Sequence, residues 1–577
     1  MDSEPAARAT STGDGGSSEG GGSTDLIGRH RRLVRRTALV SGLTLVSRVL
    51  GFVREILSAA LFGDRSAIYD AFVTAWRVPN LFRRFLGEGA LATSFQTAMT
   101  EAEGRHGEEA GRRLFLETLG LLTTLLIALA AVTMGALTLL PDAMPFTGWR
   151  WLGADPEPVR ELCVRVMPFV ILACLTALAG GALQVRGHFA APAWAPAVLN
   201  LVWIAALVAL ATVYGFGRAV EGFAPDPVRH LAMARWLAWG VLLAGLVQLL
   251  VHVPALRRHR LLPGRSGRGG APAAAAGVPR AGGVLRRAAP LALGAAVYQI
   301  NVMIDGLMAE GLLADGGPTL HYYANRVQQF PMALVAVAAT SAVFPALQAH
   351  GRAGDRAAVR ALTDRTQRAI VFVALPASVG LAVLARPVIG ASFEHGAFGP
   401  EGVARASAAL RWLCVAILPA GAVGLAARTY YALGDFRTPV RVSVAMLALN
   451  VVLNAAFVAG WGMDVDGLAL STAVTSWGNL ALLAPGIARL APAGERTPIA
   501  GPAGRMLLGA AGCGAAAVAV QSLAAPALGR AATLPLSIVA GIAVYALATL
   551  LLGVPEAREA LHRLTRRGRG GSSSGRA

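Results

Sequence analysis

Apolar runs of about 20 residues, long enough to span a hydrocarbon core as helices, alternate with short polar punctuations along most of the chain. The pattern predicts helices near 34–61, 67–100, 112–140, 160–185, 193–215, 228–256, 285–313, 319–349, 359–388, 401–433, 439–462, 466–490, 503–526 and 532–553, about fourteen in all. The second has the weakest hydropathy, because Asp70, Arg77, Arg83, Arg84 and Glu88 interrupt it. A polar face turned toward a cavity accounts for such a helix, since charge facing lipid is expensive. The fold class is all-α integral membrane.

Composition agrees. Of 577 residues 55% are hydrophobic and only 15% charged, and the mean hydropathy is +0.55, outside the range of soluble domains. The net charge of +19 comes entirely from arginine on the basic side. In a soluble protein it would suggest nucleic acid, but here the arginines gather between apolar runs and at the chain ends, as a topology signal does. Arg29, Arg31, Arg32, Arg35 and Arg36 precede the first helix, eight arginines from Arg257 to Arg287 fill the sixth connection, and Arg563, Arg566, Arg567 and Arg569 follow the last. An even helix count puts all three groups on the cytoplasmic side, with both termini there. Cys163, Cys174, Cys414 and Cys513 fall in apolar runs without metal-ligand spacing and read as small core residues. Hydrolase, zinc-protease and P-loop signatures are absent from the sequence, so no enzyme is expected.

The chain divides into a disordered cytoplasmic tail (1–33), a first lobe of six helices (34–256), a Gly/Pro/Ala-rich cytoplasmic linker (257–284), a second lobe of six (285–490), two extra helices (503–553) and a basic tail (554–577). The lobes look like parallel repeats. Gly187-His188-Phe189-Ala190-Ala191-Pro192 has the form GxFxxP, which Gly434-Asp435-Phe436-Arg437-Thr438-Pro439 repeats 247 residues later; the same offset superposes Ala92-Thr93-Ser94 on Ala339-Thr340-Ser341. Two such lobes that rock about a central site are a transporter architecture.

Chemistry concentrates in the first helix, where Arg48, Arg54 and Glu55 interrupt an apolar stretch. A guanidinium at membrane depth faces a water-filled path or a partner. At 100° per residue Arg48 and Glu55 share a stripe, which predicts an ion pair between them, with Arg54 roughly 120° away. Helix 8 adds Arg326 from the second lobe. The planar fork of arginine gives paired hydrogen bonds to phosphate oxygens and keeps its charge when desolvated, so arginines from both lobes point to an anionic, pyrophosphate-like headgroup. A second cluster gathers Asp305 on helix 7, Asn450 and Asn454 one turn apart on helix 11, and Ser471 and Thr472 on helix 12. These oxygens suit a monovalent cation, and equally suit plain hydrogen bonding between helices.

The stretch Ser41–Thr100, with SRVLGFVRE and DAFVTAWRVPNLFRRFLGEGA, strongly resembles the opening of the MurJ (MviN) family of lipid II flippases. YYANRVQQFP in helix 8, the segment Leu375–Phe398 and ALGDFRTPVRVSVAMLALNVVLN extend the resemblance collinearly over about residues 34–490. It implies the MOP exporter fold of two six-helix lobes plus two helices that form a groove for a lipid tail. It also implies flipping of undecaprenyl-pyrophosphate-linked peptidoglycan precursor, in the bacterial inner membrane, to the outer leaflet. On the family pattern Arg48, Arg54, Arg83 and Arg326 match the arginines that engage pyrophosphate, while Asp70, Asn80 and Glu88 match polar positions of helix 2. Asp305, Asn450, Asn454 and Thr472 resemble a sodium site described for some members, so Na+ is the one coupling ion implied and no other cofactor is expected. The implied partners are lipid II, membrane lipids and the cell-wall synthesis machinery. Glu55 stands where the family usually has Asp, and Asn325 where it commonly has Asp beside Arg326. A flippase for another polyprenyl-pyrophosphate glycan and a MATE-like multidrug/cation antiporter are the alternatives.

Overall fold

A computed structural model describes residues 20–84, 90–139, 156–215, 226–262, 280–340, 343–490 and 500–570, and among them the chain forms helices and turns with no strand. The first half comprises α1 (Gly20–Phe62), α2 (Ala67–Phe82), α3 (Ala90–His106), α4 (Glu108–Leu139), α5 (Pro156–Val166), α6 (Phe169–Val185), α7 (Ala190–Tyr214), α8 (Pro227–Leu250) and α9 (Val253–Arg258). The second comprises α10 (Ala281–Leu312), α11 (Gly317–Thr340), α12 (Val343–Arg352), α13 (Arg356–Val383), α14 (Ala385–Phe393), α15 (Pro400–Val415), α16 (Ile417–Ala432), α17 (Arg437–Ala455) and α18 (Val465–Leu490). Beyond these lie α19 (Ala500–Leu528), α20 (Arg530–Leu551) and α21 (Pro555–Gly570).

Ten helical segments among the described residues are long and apolar enough to cross a membrane. The expected spans at 34–61, 67–100, 285–313 and 319–349 are helical where described but are not among the ten, and each carries charged side chains. Of the second, α2 runs to Phe82 and α3 is described from Ala90, with residues 85–89 outside the described residues. Pro168, which lacks an amide donor, divides α5 from α6. At the chain start, α1 begins at Gly20, inside the segment expected to be unstructured, because the Leu- and Arg-rich run 26–36 propagates helix from the span behind it. Most of the expected linker, residues 263–279, lies outside the described residues.

The two GxFxxP motifs make the same turn. In the first, His188 N donates to Leu183 O at 2.8 Å and Gly187 N to Gln184 O at 2.9 Å; in the second, Asp435 N donates to Tyr430 O at 2.9 Å and Gly434 N to Tyr431 O at 3.1 Å. Gly187 and Gly434 have φ of +73° and +85°, the left-handed helix stop that a side chain disfavours. The next helix then starts three residues on in both copies, at Ala190 and at Arg437.

The main core joins both halves, with Phe62, Phe72, Phe169 and Trp203 from the first and Tyr323, Phe393 and Phe398 from the second. Large apolar side chains such as Val132, Trp236, Leu507, Val539 and Leu551 instead lie exposed, as on a surface whose solvent is lipid. The four cysteines are free and buried, as core residues. α19 and α20 pack on each other and on α13 and α14, and so adjoin the second half.

Candidate functional site

The site is built where α1 passes between α7 and α11. Arg54 is only 7% exposed and Glu55 2%, so neither charge is left to water and each needs a partner. Arg54 pairs with Glu55, donates to Asn200 Oδ1 at 3.3 Å and lies 4.3 Å above the Trp203 ring centre, a cation–π contact. Glu55 accepts from Tyr322 Oη at 2.8 Å and faces Arg326 Nε at 4.0 Å. Guanidinium groups from both halves therefore converge on one carboxylate.

This corrects the pairing expected from helical phase. Glu55 pairs with its neighbour Arg54, while Arg48 is exposed. Seven residues separate Arg48 from Glu55 by roughly 10.5 Å along the axis, and Glu55 turns into the seam between halves, where the long Arg54 side chain bends round to reach it. Helical phase defines a stripe but not which partner occupies it.

Arg326 approaches the α1 backbone at Gly51, where an added Cβ would lie 2.9 Å from its Nη2. Arg83 receives a two-pronged anchor from Asn80, whose Oδ1 accepts from Nε at 3.1 Å and Nη2 at 2.9 Å. Asn80 thus orients a cation. Glu88 lies outside the described residues.

Asp70 has a different task. Its Oδ2 accepts from Gly316 N at 2.5 Å, and its Oδ1 accepts from Thr319 N at 3.0 Å and Thr319 Oγ1 at 2.5 Å. A carboxylate of α2 thereby caps the N-terminus of α11 across the seam, the end where exposed amides favour negative charge. Gly316 permits this with a φ of +85°, and an added Cβ would lie 1.7 Å from Asp64 O. Thr74 Oγ1 donates to Glu310 Oε2 at 2.7 Å, Ala397 N to Ala60 O at 2.9 Å, and Arg65 pairs with Glu401. These contacts close the seam at the end where α1 stops and α2 begins. Toward the other end of α1, Leu45, Val46, Arg48 and Val49 are exposed.

The second expected cluster also assembles, with Asp305 on α10, where Arg77 of α2 packs against the adjacent Gly306. Asp305, Asn450, Asn454 and Ser471 are buried together, whereas Thr472 bonds its own helix at Leu468 O, 3.0 Å away. Asn454 Nδ2 donates to Asp305 Oδ1 at 3.0 Å and Asn450 Oδ1 at 3.2 Å. Ser471 Oγ donates to Asn454 Oδ1. An amide nitrogen is a donor and cannot ligate a cation, so in this arrangement the residues do not fit Na+. Among the described residues no group of three or more His, Cys, Asp or Glu could hold a metal ion.

Sequence reasoning missed Asn200, Trp203, Thr74 and Glu310. Asn200 and Glu310 carried a usable signal, a polar side chain within an apolar span. Trp203 carried none, because an aromatic in such a span reads as core or lipid-facing.

The lipid II flippase MurJ family profile matches residues 58–530. A probable lipid II flippase MurJ from Vibrio cholerae is 31% identical over 467 residues, covering 79% of this chain and 83% of its own length. The lipid II flippase MurJ of Burkholderia cenocepacia is 30% identical over 461 residues, covering 79% and 84%. Of solved structures, a lipid II flippase MurJ in an inward closed conformation aligns with TM-score 0.68 at 20% identity over 91% of this chain and 100% of that one. An inward-facing multidrug resistance MATE family transporter of the MOP superfamily aligns with TM-score 0.59 at 15% identity over 78% and 98%; at these identities the structures speak to fold. A multi-pass helical protein with this match along most of its length, and with arginines from both halves meeting at its seam, belongs to the lipid II flippase MurJ family.

Proposed function

We propose that this chain carries lipid II from the inner to the outer leaflet of the bacterial cytoplasmic membrane by alternating access. The observation that carries the reading is the convergence of Arg54 and Arg326, from opposite halves, on Glu55. Two guanidinium groups facing one carboxylate leave positive charge in excess, which suits a pyrophosphate. Arg326, partly exposed, and exposed Arg48 bind the headgroup directly, Arg83 is aimed by Asn80, and buried Arg54 holds the geometry of the seam. Asp70 keeps the second half docked on the first at the closed end.

The positions of the seam contacts support a cavity that opens on the side of the N-terminus. The arginine distribution supports placing that side, and both termini, in the cytoplasm. Headgroup then enters from the leaflet where the precursor is made. A cavity of about 840 Å³ lies apart from Arg54 and Arg326, between α14 and the α19–α20 pair, with Val383, Ala391, Val518 and Ala525 in its wall beside the polar Arg386, Glu394, Gln521 and Arg530. The apolar part of this mixed wall supports a role for α19 and α20 in accommodating the polyprenyl tail while the headgroup crosses.

The test is reconstitution of the purified protein into liposomes with fluorescent lipid II, read by the fraction accessible to an external quencher over time. Transport above protein-free liposomes is expected. Absence of lipid II movement by protein that moves another undecaprenyl-pyrophosphate glycan would reassign the substrate, and absence of any movement would overturn the reading.

A further inference from the structure

We propose that Asn454 closes the α10–α17–α18 cluster as an ion-free hydrogen-bonded ring, its amide nitrogen holding the place a monovalent cation would need. The atom on which the acceptors converge is Asn454 Nδ2, 3.0 Å from Asp305 Oδ1, 3.2 Å from Asn450 Oδ1 and 3.4 Å from Met308 Sδ. A carboxamide nitrogen carries two hydrogens and no lone pair for a cation. It therefore satisfies the carboxylate and the neighbouring carbonyl from the position where an ion would otherwise satisfy both.

The remaining bonds complete the ring. Ser471 Oγ donates to Asn454 Oδ1, and Asn450 Nδ2 donates to Ser471 Oγ at 3.4 Å. Asn450 thus accepts from Asn454 and donates to Ser471, which donates back to Asn454, a ring of three side chains with each bond running donor to acceptor. Turning Asn454 over would set its oxygen against Asp305 Oδ1 and Asn450 Oδ1, so these two acceptors fix the direction of the amide; the Ser471 hydroxyl, which also reaches Leu468 O at 2.8 Å, accommodates either partner. The second oxygen of Asp305 is also covered, by Asn301 Nδ2 at 3.4 Å.

Hard monovalent and divalent cations are held by several oxygens, usually with more than one carboxylate or carbonyl facing inward. Here a single carboxylate is present and both its oxygens face amide donors. The carboxamide at position 454 thus selects against sodium, and the ring ties α10 to α17 and α18 without an ion. This bears on the transport reading through the choice of coupling ion, but its test reads protein stability, so a failure here is distinct from a failure of lipid II flipping.

The experiment compares thermal unfolding of the purified full chain in detergent in sodium, potassium and choline chloride at equal ionic strength. A ligand that binds only the folded state raises the midpoint with its concentration. The wild type is expected to unfold at the same temperature in all three salts, and Asn454→Asp to gain a sodium-selective rise. A sodium-selective rise in the wild type that Asp305→Asn removes would overturn the proposal. So would a well-folded Asn454→Asp protein indifferent to sodium. Should that variant not fold, ²³Na line-broadening on the wild type decides alone, with broadening displaced by no other cation counting against the ring and its absence supporting it.

Discussion

Two of the polar clusters buried among the described residues solve the same problem in opposite ways. At the seam, Arg54, Glu55 and Arg326 keep full charges and balance them across the two halves. Inside the second half, Asn450, Asn454 and Ser471 surround one carboxylate with neutral groups that satisfy one another. The charged cluster has its partners on elements of both halves, with two guanidinium groups facing one carboxylate. The neutral one has its hydrogen-bonded members on α10, α17 and α18, with Arg77 of α2 beside its carboxylate. Charge placed between bodies suits binding and release; a closed amide ring within a body suits rigidity.

The largest effect should come from breaking the charged cluster at its buried member. Arg54→Ala leaves Glu55 desolvated without its closest cation, an error that costs about 3–5 kcal/mol for a buried pair, and both thermal stability and flipping should fall. Replacing Glu55 by Gln in the same protein should recover much of the stability and none of the transport. If the double variant flips lipid II normally, the charges are structural only.

Arg48→Ala separates binding from packing. Its side chain is exposed, so the melting temperature should not move, whereas losing charge-assisted bonds worth roughly 1.5–3 kcal/mol should slow flipping about ten- to a hundredfold. Normal complementation of a flippase-depleted strain by this variant would remove Arg48 from the site. On the neutral side, Ser471→Ala opens the ring and leaves Asn454 Oδ1 without its donor, for a loss of about 1–3 kcal/mol. That variant should melt earlier in detergent and yet flip at the wild-type rate per folded molecule, the reverse of Arg48→Ala.

The smallest effect is expected at the surface. Arg365 and Glu559 join α13 to α21 at 2.8 Å, with side chains 64% and 43% exposed, and such pairs contribute about 0.2–1 kcal/mol. Arg365→Ala should leave both melting and transport close to wild type.

Much of the architecture was legible because the solvent is lipid. A span must be about 20 apolar residues and must satisfy its own backbone, so helix positions follow from hydropathy. The division at Pro168 was less visible, since a hydropathy window does not register local backbone geometry. At the site, Arg54, Glu55 and Arg326 were recognisable as charges in apolar runs, but the pairing of Glu55 with Arg54 was not, because it depends on α11 bringing Tyr322 to the same face. Asp70 was expected among the substrate's polar neighbours, and the bonds the fold shows for it are those of a cap on α11. Helix capping across a seam has no signature in the capping residue's own helix.

By itself the sequence determined that the chain lives in a membrane, where its helices run, and that arginine is the chemistry of its interior, since each is a matter of residue type and spacing against a fixed bilayer thickness. Only the tertiary structure decided which charges neutralise one another, which end of the seam is closed, and that the cluster around Asp305 is filled by an amide. Those outcomes turn on which elements the fold brings together, as Tyr322 reaches Glu55 and Asn454 reaches Asp305, and hydrogen bonds and ion pairs are governed by distances of a few ångströms that no periodicity along the chain encodes.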